Sequence, residues 1–279
     1  MTKVLKSKEL IKKIKDNIKK VTKSMEEEPI VAIIRVGEKS DDISYEKGIT
    51  KKAKELGIGI QIFKFEENEN TEVIAKRIRR LNDDEKVKGI LVFKPLPKSI
   101  DEKQIDEAIS YKKDIDCISP LSKSMLFDGE VTGFIPNAPK AAIMILEYYG
   151  YDLSKNCLII NRTSVVGKPL SMLLLDKNAT VTIAHSKTKN LKELTKSADY
   201  IFTATGKKRL LDKSFFKEDA VVIDMGIAID ENGKLVGDLD TEGIEGCIKA
   251  YTPVPGGIGA LTSMLLLEAA VINNFNDNN

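Results

Sequence analysis

The sequence predicts an α/β fold of two domains, each built on a mainly parallel sheet. Short apolar runs alternate with stretches of helical period along almost the whole chain, and one segment rich in Pro and Gly interrupts that alternation near the middle. At 279 residues the chain suits two domains of ordinary size. Leu10, Ile11, Ile14, Ile18 and Val21 recur at helical spacing among lysines and mark an amphipathic first helix. Strands follow at Ile30 to Val36, Ile58 to Phe65 and Val87 to Phe93, with a helical stretch through Leu56, another at Thr71 to Leu81 and a third at Asp101 to Ser110. From Tyr111 to Pro139 the periodicity fades among Pro120, Gly129, Gly133, Pro136 and Pro139, so the domain junction is placed at 138/139. Helices are expected again at Ala141 to Tyr149, Val166 to Leu175 and Leu191 to Lys196. The strands between and after them are expected at Asn156 to Asn161, Thr180 to Ala184, Tyr200 to Ala204 and Ala220 to Asp224. The second domain then covers 139–260, and a last helix, about 261–279, is expected to pack back on the first domain, 1–138.

Composition excludes several functions. Hydrophobic residues at 42% and charged residues at 31% describe a chain that folds on its own core. The 44 basic and 42 acidic residues nearly cancel to a net charge of +2, which leaves no single-sign field to hold a nucleic acid. Cys117, Cys157 and Cys247 lie far apart without CxxC spacing or neighbouring histidines, so neither a disulfide framework nor a metal site is expected, and a reducing cytoplasm is. The N-terminal twenty residues lack the apolar run of a secretory signal. The most apolar stretch, Leu261 to Ile272, is interrupted by Glu268 and is too short for a bilayer, so no membrane role is expected.

The chemistry concentrates at turns in the second half. Cys157-Leu-Ile-Ile-Asn-Arg-Thr-Ser-Val-Val-Gly-Lys-Pro169 runs from an apolar strand through a polar turn into a helix opened by Gly167 and Pro169. Free N–H groups at such a helix start favour a pyrophosphate, although a single glycine is also compatible with an ordinary strand-to-helix turn. Where NAD enzymes usually place an acid on the ribose, the chain has His185-Ser-Lys-Thr-Lys189. Hydroxyls and cations there, helped by Arg162, favour a 2′-phosphate, hence NADP, with NAD possible. His185, the one histidine, is read as cofactor-adjacent, beside Ser186 and Thr188. Thr203-Ala-Thr-Gly206 and Val222-Ile-Asp-Met-Gly-Ile227 offer small residues at strand ends, where a flat ligand can approach the backbone. Tyr251-Thr-Pro-Val-Pro-Gly-Gly-Ile-Gly259 is stiff and then permissive, as suits a loop that must fit against a ligand.

These motifs share an order with one family. Tyr45 with Gly57-Ile58 downstream, Gly89-Ile-Leu-Val92, Pro95-Leu-Pro97, Lys113-Asp-Ile-Asp116 and Arg162-Thr-Ser-Val-Val-Gly-Lys-Pro169 come first. Asn178-Ala-Thr-Val-Thr182, His185-Ser-Lys-Thr188, Val222 to Ile227, Gly237-Asp238 and Thr252 to Gly259 follow. Over nearly its whole length the chain resembles the methylenetetrahydrofolate dehydrogenase/cyclohydrolase family. The resemblance implies a Rossmann-like cofactor domain, a folate cleft between the two domains, a homodimer, and hydride transfer between 5,10-methylenetetrahydrofolate and NADP in one-carbon metabolism. It further implies that Tyr45 lies against the folate rings and that Asp116 hydrogen-bonds the pterin. The loop with Pro255, Gly256 and Gly257 would close over substrate. Asn161, Arg162, Thr163, Ser186 and Ile227 would contact the dinucleotide, with Gly167, His185, Thr188 and Gly206 beside it.

Departures from the family pattern matter as much. Its bifunctional members carry a lysine four residues after the tyrosine that serves the cyclohydrolase step; here that position is Ile49. The glutamine that supports the lysine is replaced by Phe93. Pro136-Asn-Ala-Pro139 and Ala260 differ from the family without a readable effect. Lys52 is on the same helix face as Tyr45 but about a turn further along than position 49. Lys94 could compensate only if its strand ended before it. Hydride transfer needs chiefly two ligands held at near-attack distance, whereas ring hydrolysis needs water activated and protons moved. The expectation is therefore a dehydrogenase with weak or absent cyclohydrolase activity. The alternatives are a bifunctional enzyme using Lys52 or Lys94, and a non-catalytic folate or dinucleotide binder. A short-chain reductase is disfavoured, because its Tyr-x-x-x-Lys pair also fails at Ile49.

Overall fold

A computed structural model describes residues 1–130 and 133–272. The chain forms two compact units, one of Lys13–Ile135 with the chain from Ser263 onward, the other of Met1–Lys12 with Pro136–Thr262. The first is built on three strands and the second on six. The chain opens with β1 (Lys3–Val4) and α1 (Lys8–Ser24), and passes between units within that helix.

The three-stranded unit continues with β2 (Ile30–Val36), α2 (Ser40–Leu56), β3 (Gly59–Phe65), α3 (Thr71–Asp83), β4 (Val87–Val92), α4 (Glu102–Ala108) and α5 (Pro120–Phe127). Its sheet has the order β3-β2-β4, all parallel. The central strand β2 is apolar almost throughout and buried along most of its length, as a parallel strand covered on both faces should be. Asp41 and Asp42 offset the dipole at the start of α2, and Gly57, at φ +72°, closes it in the left-handed conformation. The inner face of α2 is Glu46, Ile49, Ala53 and Leu56. On α3, Asn70 caps the first turn by accepting from the Glu72 N–H at 2.8 Å, and Ile74, Ala75, Ile78 and Leu81 are buried. They join Ile34, Ile90, Val92 and Ile105 in one apolar core. Helix α5 lies where the sequence shows no periodicity. Ser119 accepts from the Ser122 N–H, and Pro120 stands in the first turn, so caps alone mark it.

The six-stranded unit contains α6 (Asn137–Tyr148), β5 (Asn156–Ile160), α7 (Gly167–Asp176), β6 (Thr180–Ala184), α8 (Leu191–Ser197), β7 (Tyr200–Thr203), β8 (Val221–Asp224) and β11 (Ala250–Tyr251). Between β8 and β11 a small antiparallel hairpin, β9 (Ala228–Ile229) and β10 (Leu235–Val236), stands apart from the sheet. The strand order β1-β11-β8-β7-β5-β6 is parallel throughout. From β5 the chain moves to one side for β6 and then crosses back to the other side for β7. The switch point therefore lies between β5 and β7, where open α/β sheets bind ligands beyond the carboxyl ends. Helix α9 (Ile258–Ala269) ends the described structure apart from a short turn.

The division differs from the one expected at 138/139. The crossing falls at Ile135/Pro136, and the first twelve residues belong with the six-stranded unit. The physical reason is β1: Lys3 N–H donates to Lys249 O at 2.9 Å, Leu5 N–H to Tyr251 O at 2.7 Å, and the Leu5 side chain is fully buried. Two residues of edge strand leave no readable alternation in the sequence. The last helix starts at Ile258 rather than about 261, directly after the glycines of the loop. Its expected end lies in 273–279, outside the described residues.

Candidate active site

In the three-stranded unit, α2 places Tyr45 and Ile49 one turn apart on neighbouring parts of one face. Ile49 is 1% exposed, while Tyr45 stands at the margin, 44% exposed, with its ring 5.4 Å from that of Phe93 and tilted by 58°. Phe93 follows β4, and its N–H donates to Ile34 O at 3.0 Å. Asp116 belongs to the loop after α4, which two neighbours fix. Asp114, fully buried, accepts from the N–H groups of Ile118 at 2.9 Å and Ser119 at 2.7 Å. Ile115 occupies the space beside Gly89, where an added Cβ would come within 2.5 Å of it, so β4 needs glycine there. Burial, and secondly the Asp116 carboxylate, push the Tyr45 phenol up to about 12. At neutral pH Tyr45 is thus an uncharged phenol that can donate or accept a hydrogen bond and cannot serve as a base.

The two alternative lysines are both engaged. Lys94 lies beyond the end of β4, as compensation would require. Its Nζ, however, is 2.6 Å from Asp106 Oδ1 and 2.9 Å from Glu102 Oε1, and Lys123 approaches the other Asp106 oxygen at 3.4 Å. Lys52 Nζ donates to Ser263 Oγ at 2.7 Å, and burial lowers its pKa. At the residue after Tyr45, Glu46 Oε2 accepts from Arg35 Nε at 2.7 Å with both residues buried, and Arg35 also donates to Gly37 O. This pair ties α2 to the end of β2. Its signal in the sequence is the lone arginine in the apolar run Ile30 to Val36, a charge that burial obliges to find a carboxylate.

In the six-stranded unit the sequence-predicted residues gather at the carboxyl ends of the strands. Asn161 Oδ1 accepts from Thr163 N–H at 2.8 Å, Thr163 Oγ1 at 2.8 Å and Gly167 N–H at 3.0 Å. Its Nδ2 donates across the switch point to Ala204 O at 2.7 Å. The Asn161 amide is therefore committed to shaping the turn. A Cβ on Gly167 would stand 2.1 Å from Asn161 O, so only glycine lets α7 begin this close to β5. Arg162 and Thr163 are exposed on this turn. After β6, Thr188 N–H donates to His185 O at 2.8 Å, His185 N–H to Thr188 Oγ1 at 2.8 Å, and Lys187 N–H to His185 Nδ1 at 3.1 Å. His185 thus holds the turn that exposes Ser186 and Lys187. Gly206, at φ +67°, ends the turn after β7.

Two buried aspartates, which the sequence did not single out as site residues, organise the neighbouring turns. Asp238 Oδ2 accepts from Thr203 Oγ1 and Thr205 N–H, both at 2.6 Å, and Oδ1 from Lys207 N–H at 3.1 Å. Asp224 accepts from Gly226 N–H at 2.9 Å and Leu239 N–H at 2.8 Å, and its own N–H donates to Thr252 Oγ1 at 2.8 Å. Chiefly through burial, its carboxyl is pushed up to about 6. Beside them a cavity of about 320 Å3 opens between Gly226, Ile227 and Leu235 on one side and Pro253, Pro255 and Gly257 on the other. Ser7 N–H and Oγ both donate to Gly256 O at 3.0 Å and pin that loop; nothing local in the sequence announces the link. A helix start open to an anion, a switch point and a largely apolar cavity on one sheet edge fit a nicotinamide dinucleotide.

Comparison with known proteins agrees with this geometry. Residues 5–116 match the family model described as tetrahydrofolate dehydrogenase/cyclohydrolase, catalytic domain, and residues 136–277 match its NAD(P)-binding domain. The chain belongs to the tetrahydrofolate dehydrogenase/cyclohydrolase family. A relative named bifunctional protein FolD, from Clostridium botulinum (strain Langeland), is 45% identical over 275 residues, covering 97% of this chain and 98% of that one. The crystal structure of the bifunctional FolD enzyme from Campylobacter jejuni superposes with a TM-score of 0.94 at 37% identity, covering 98% of this chain and 99% of that one. The FolD structure from Trypanosoma brucei, complexed with NADP cofactor and an inhibitor, gives a TM-score of 0.88 at 26% identity, covering 98% and 97%. The family's NAD(P)-binding model begins at residue 136, where the chain enters the six-stranded unit. That unit is thus the NAD(P)-binding domain, and tetrahydrofolate is the family's substrate carrier.

Proposed function

We propose that this protein is a methylenetetrahydrofolate dehydrogenase, NADP-dependent by preference, that hydrolyses its methenyl product weakly or not at all. The observation that carries the reading is Ile49, buried one turn from Tyr45, together with the Phe93 ring packed against Tyr45. A bound nicotinamide would supply the acceptor for the hydride of the methylene carbon. The chain's own residues bind and orient. Tyr45, held uncharged, supports the folate rings, and Asp116 receives hydrogen bonds from the pterin. The Asn161 turn and the start of α7 hold the pyrophosphate, and Gly206 and Ile227 lie along the dinucleotide. The cation that hydride loss leaves is shared by the two folate nitrogens, so the step asks for proximity rather than a titrating side chain. Exposed Arg162, Ser186 and Lys187, with no acid on the His185 turn, support NADP over NAD.

A second reading has two points in its favour. Burial lowers the pKa of Lys52, as a general base requires, and the Clostridium botulinum and Campylobacter jejuni proteins above are named bifunctional. Against it, Lys52 Nζ is turned to Ser263 and Lys94 Nζ is held by two carboxylates.

The test is a time course with methylenetetrahydrofolate and NADP⁺ that follows reduced cofactor and methenyl product together. Accumulation of methenyltetrahydrofolate one for one with NADPH is expected. Formyl product appearing at a rate comparable with dehydrogenase turnover would overturn this reading, and binding without turnover would leave the non-catalytic one.

A further inference from the structure

Asp224 and Asp238 each stand against the glycine that neighbours the other's turn. A Cβ on Gly226 would lie 2.2 Å from Asp238 Oδ1, and a Cβ on Gly237 would lie 2.0 Å from Asp224 Oδ2. The two segments are therefore interlocked, with no room for any side chain at either glycine. Asp238 collects Thr203 Oγ1 and the N–H groups of Thr205 and Lys207, which fixes the turn leaving β7. Asp224 collects Gly226 N–H and Leu239 N–H, while its backbone N–H reaches Thr252 at the end of β11. Val254 joins the same contact, since its Cγ2 is 2.8 Å from the Cβ that Gly237 lacks. Three strand ends and both walls of the cavity thus meet at two side chains, each no more than 2% exposed.

We propose that Asp224 and Asp238 are positioning residues for the nicotinamide half of the dinucleotide: they set the spacing between the turns after β7 and β8 and the loop from Pro253 to Gly257. Their carboxylates are taken up by the turns, so they act through Gly226, Thr205 and Thr252. This rests on the dinucleotide reading above and extends it to the cavity that receives the ring. The turn at Asn161 and Gly167, which takes the pyrophosphate, is shaped by the bonds Asn161 Oδ1 accepts and is joined to the β7 turn by one bond, Asn161 Nδ2 to Ala204 O.

The full chain is titrated calorimetrically with NADP⁺ and, separately, with 2′-phospho-ADP-ribose, which lacks the nicotinamide ring. In D238N an amide group replaces one acceptor oxygen where only N–H and O–H donors converge. T203V deletes a single donor to Asp238 at nearly constant volume, and T203S restores it. NADP⁺ affinity is expected to fall about 10-fold in D238N and a smaller amount in T203V, and to recover in T203S, with the ring-less fragment bound within about 2-fold of wild type throughout. Should D238N fail to fold, the Thr203 pair carries the test. Equal weakening of both ligands, or no weakening of either, overturns the inference. Wild-type protein that neither binds NADP⁺ nor turns it over would instead overturn the functional reading beneath it.

Discussion

The Phe93 ring lies 5.4 Å from the Tyr45 ring, tilted by 58°, and closes the flank of the one tyrosine that α2 presents beside buried Ile49. The substitutions at 49 and 93 are consistent with each other. A lysine beside an aromatic wall would be a buried, unpaired charge, and an amide beside an isoleucine would lack its partner. Ile49→Lys alone is therefore expected to destabilise the protein by roughly 3 kcal/mol in urea unfolding. Adding Phe93→Gln should recover part of that and raise methenyltetrahydrofolate hydrolysis about 10- to 100-fold over wild type. A double variant no faster than wild type would mean that more of the hydrolytic site has been lost than these two positions.

Lys52→Ala and Lys94→Ala each should leave dehydrogenase turnover within about 2-fold of wild type and leave the small hydrolysis rate unchanged. Lys94→Ala gives up ion pairs to Asp106 and Glu102 that are partly exposed, so its stability loss should be about 1 kcal/mol or less. Hydrolysis abolished by either change would assign that lysine the catalytic role.

Gly167→Ala puts a methyl group 2.1 Å from the Asn161 carbonyl oxygen, a backbone atom that cannot swing aside. The start of α7 must move away from β5, and dinucleotide affinity is expected to drop at least about 10-fold, with folate binding little changed. Fluorescence titration with NADPH checks the first part and calorimetry with a folate the second.

Burial pushes the Asp224 carboxyl up to about 6 in spite of the backbone N–H groups it accepts from, and the charge of Asp238 adds a smaller push the same way. The folded chain therefore holds this proton more tightly than the unfolded one. The group's contribution to stability is complete below its unfolded pKa and is lost as pH rises through the folded value. Asp224→Asn cannot titrate, so the stability of wild type relative to this variant should fall between about pH 4 and about pH 7. Urea unfolding across that range that showed the opposite slope would place the carboxyl below its ordinary value.

Most of the fold was legible because parallel strands buried on both faces are written as apolar runs, and β2, β4, β5, β7 and β8 lie within a residue or two of their expected positions. The pieces that were not legible are those with no periodic signature. β1 and β11 are two residues each and exist through pairing between distant parts of the chain, and α5 depends on its caps. At the site, the turn around Gly167 and the Tyr45–Ile49 spacing could be read directly, since each is local. The Asp224–Asp238 interlock could not, because two aspartates fourteen residues apart look like surface charge until the strands between them are folded. For Lys94 the sequence could only state the condition; that β4 ends at Val92, and that α4 then supplies carboxylates to the ammonium, are facts of tertiary structure.

The pairing of Lys3 and Val4 with Ala250 and Tyr251 also sets an order of events in time. On a ribosome β1 is made well before its partner β11, with the three-stranded unit lying between them in sequence. Leu5, buried in the finished protein, must wait in water while the whole three-strand core is synthesised. The equilibrium cost of closing so long a loop is modest, because it grows only with the logarithm of length. The kinetic cost is larger, since contacts between segments far apart in sequence form late and leave apolar segments open to wrong partners. The edge of the six-stranded sheet is consequently closed only after β11 has emerged, and it is the seam at which two segments made far apart in time meet.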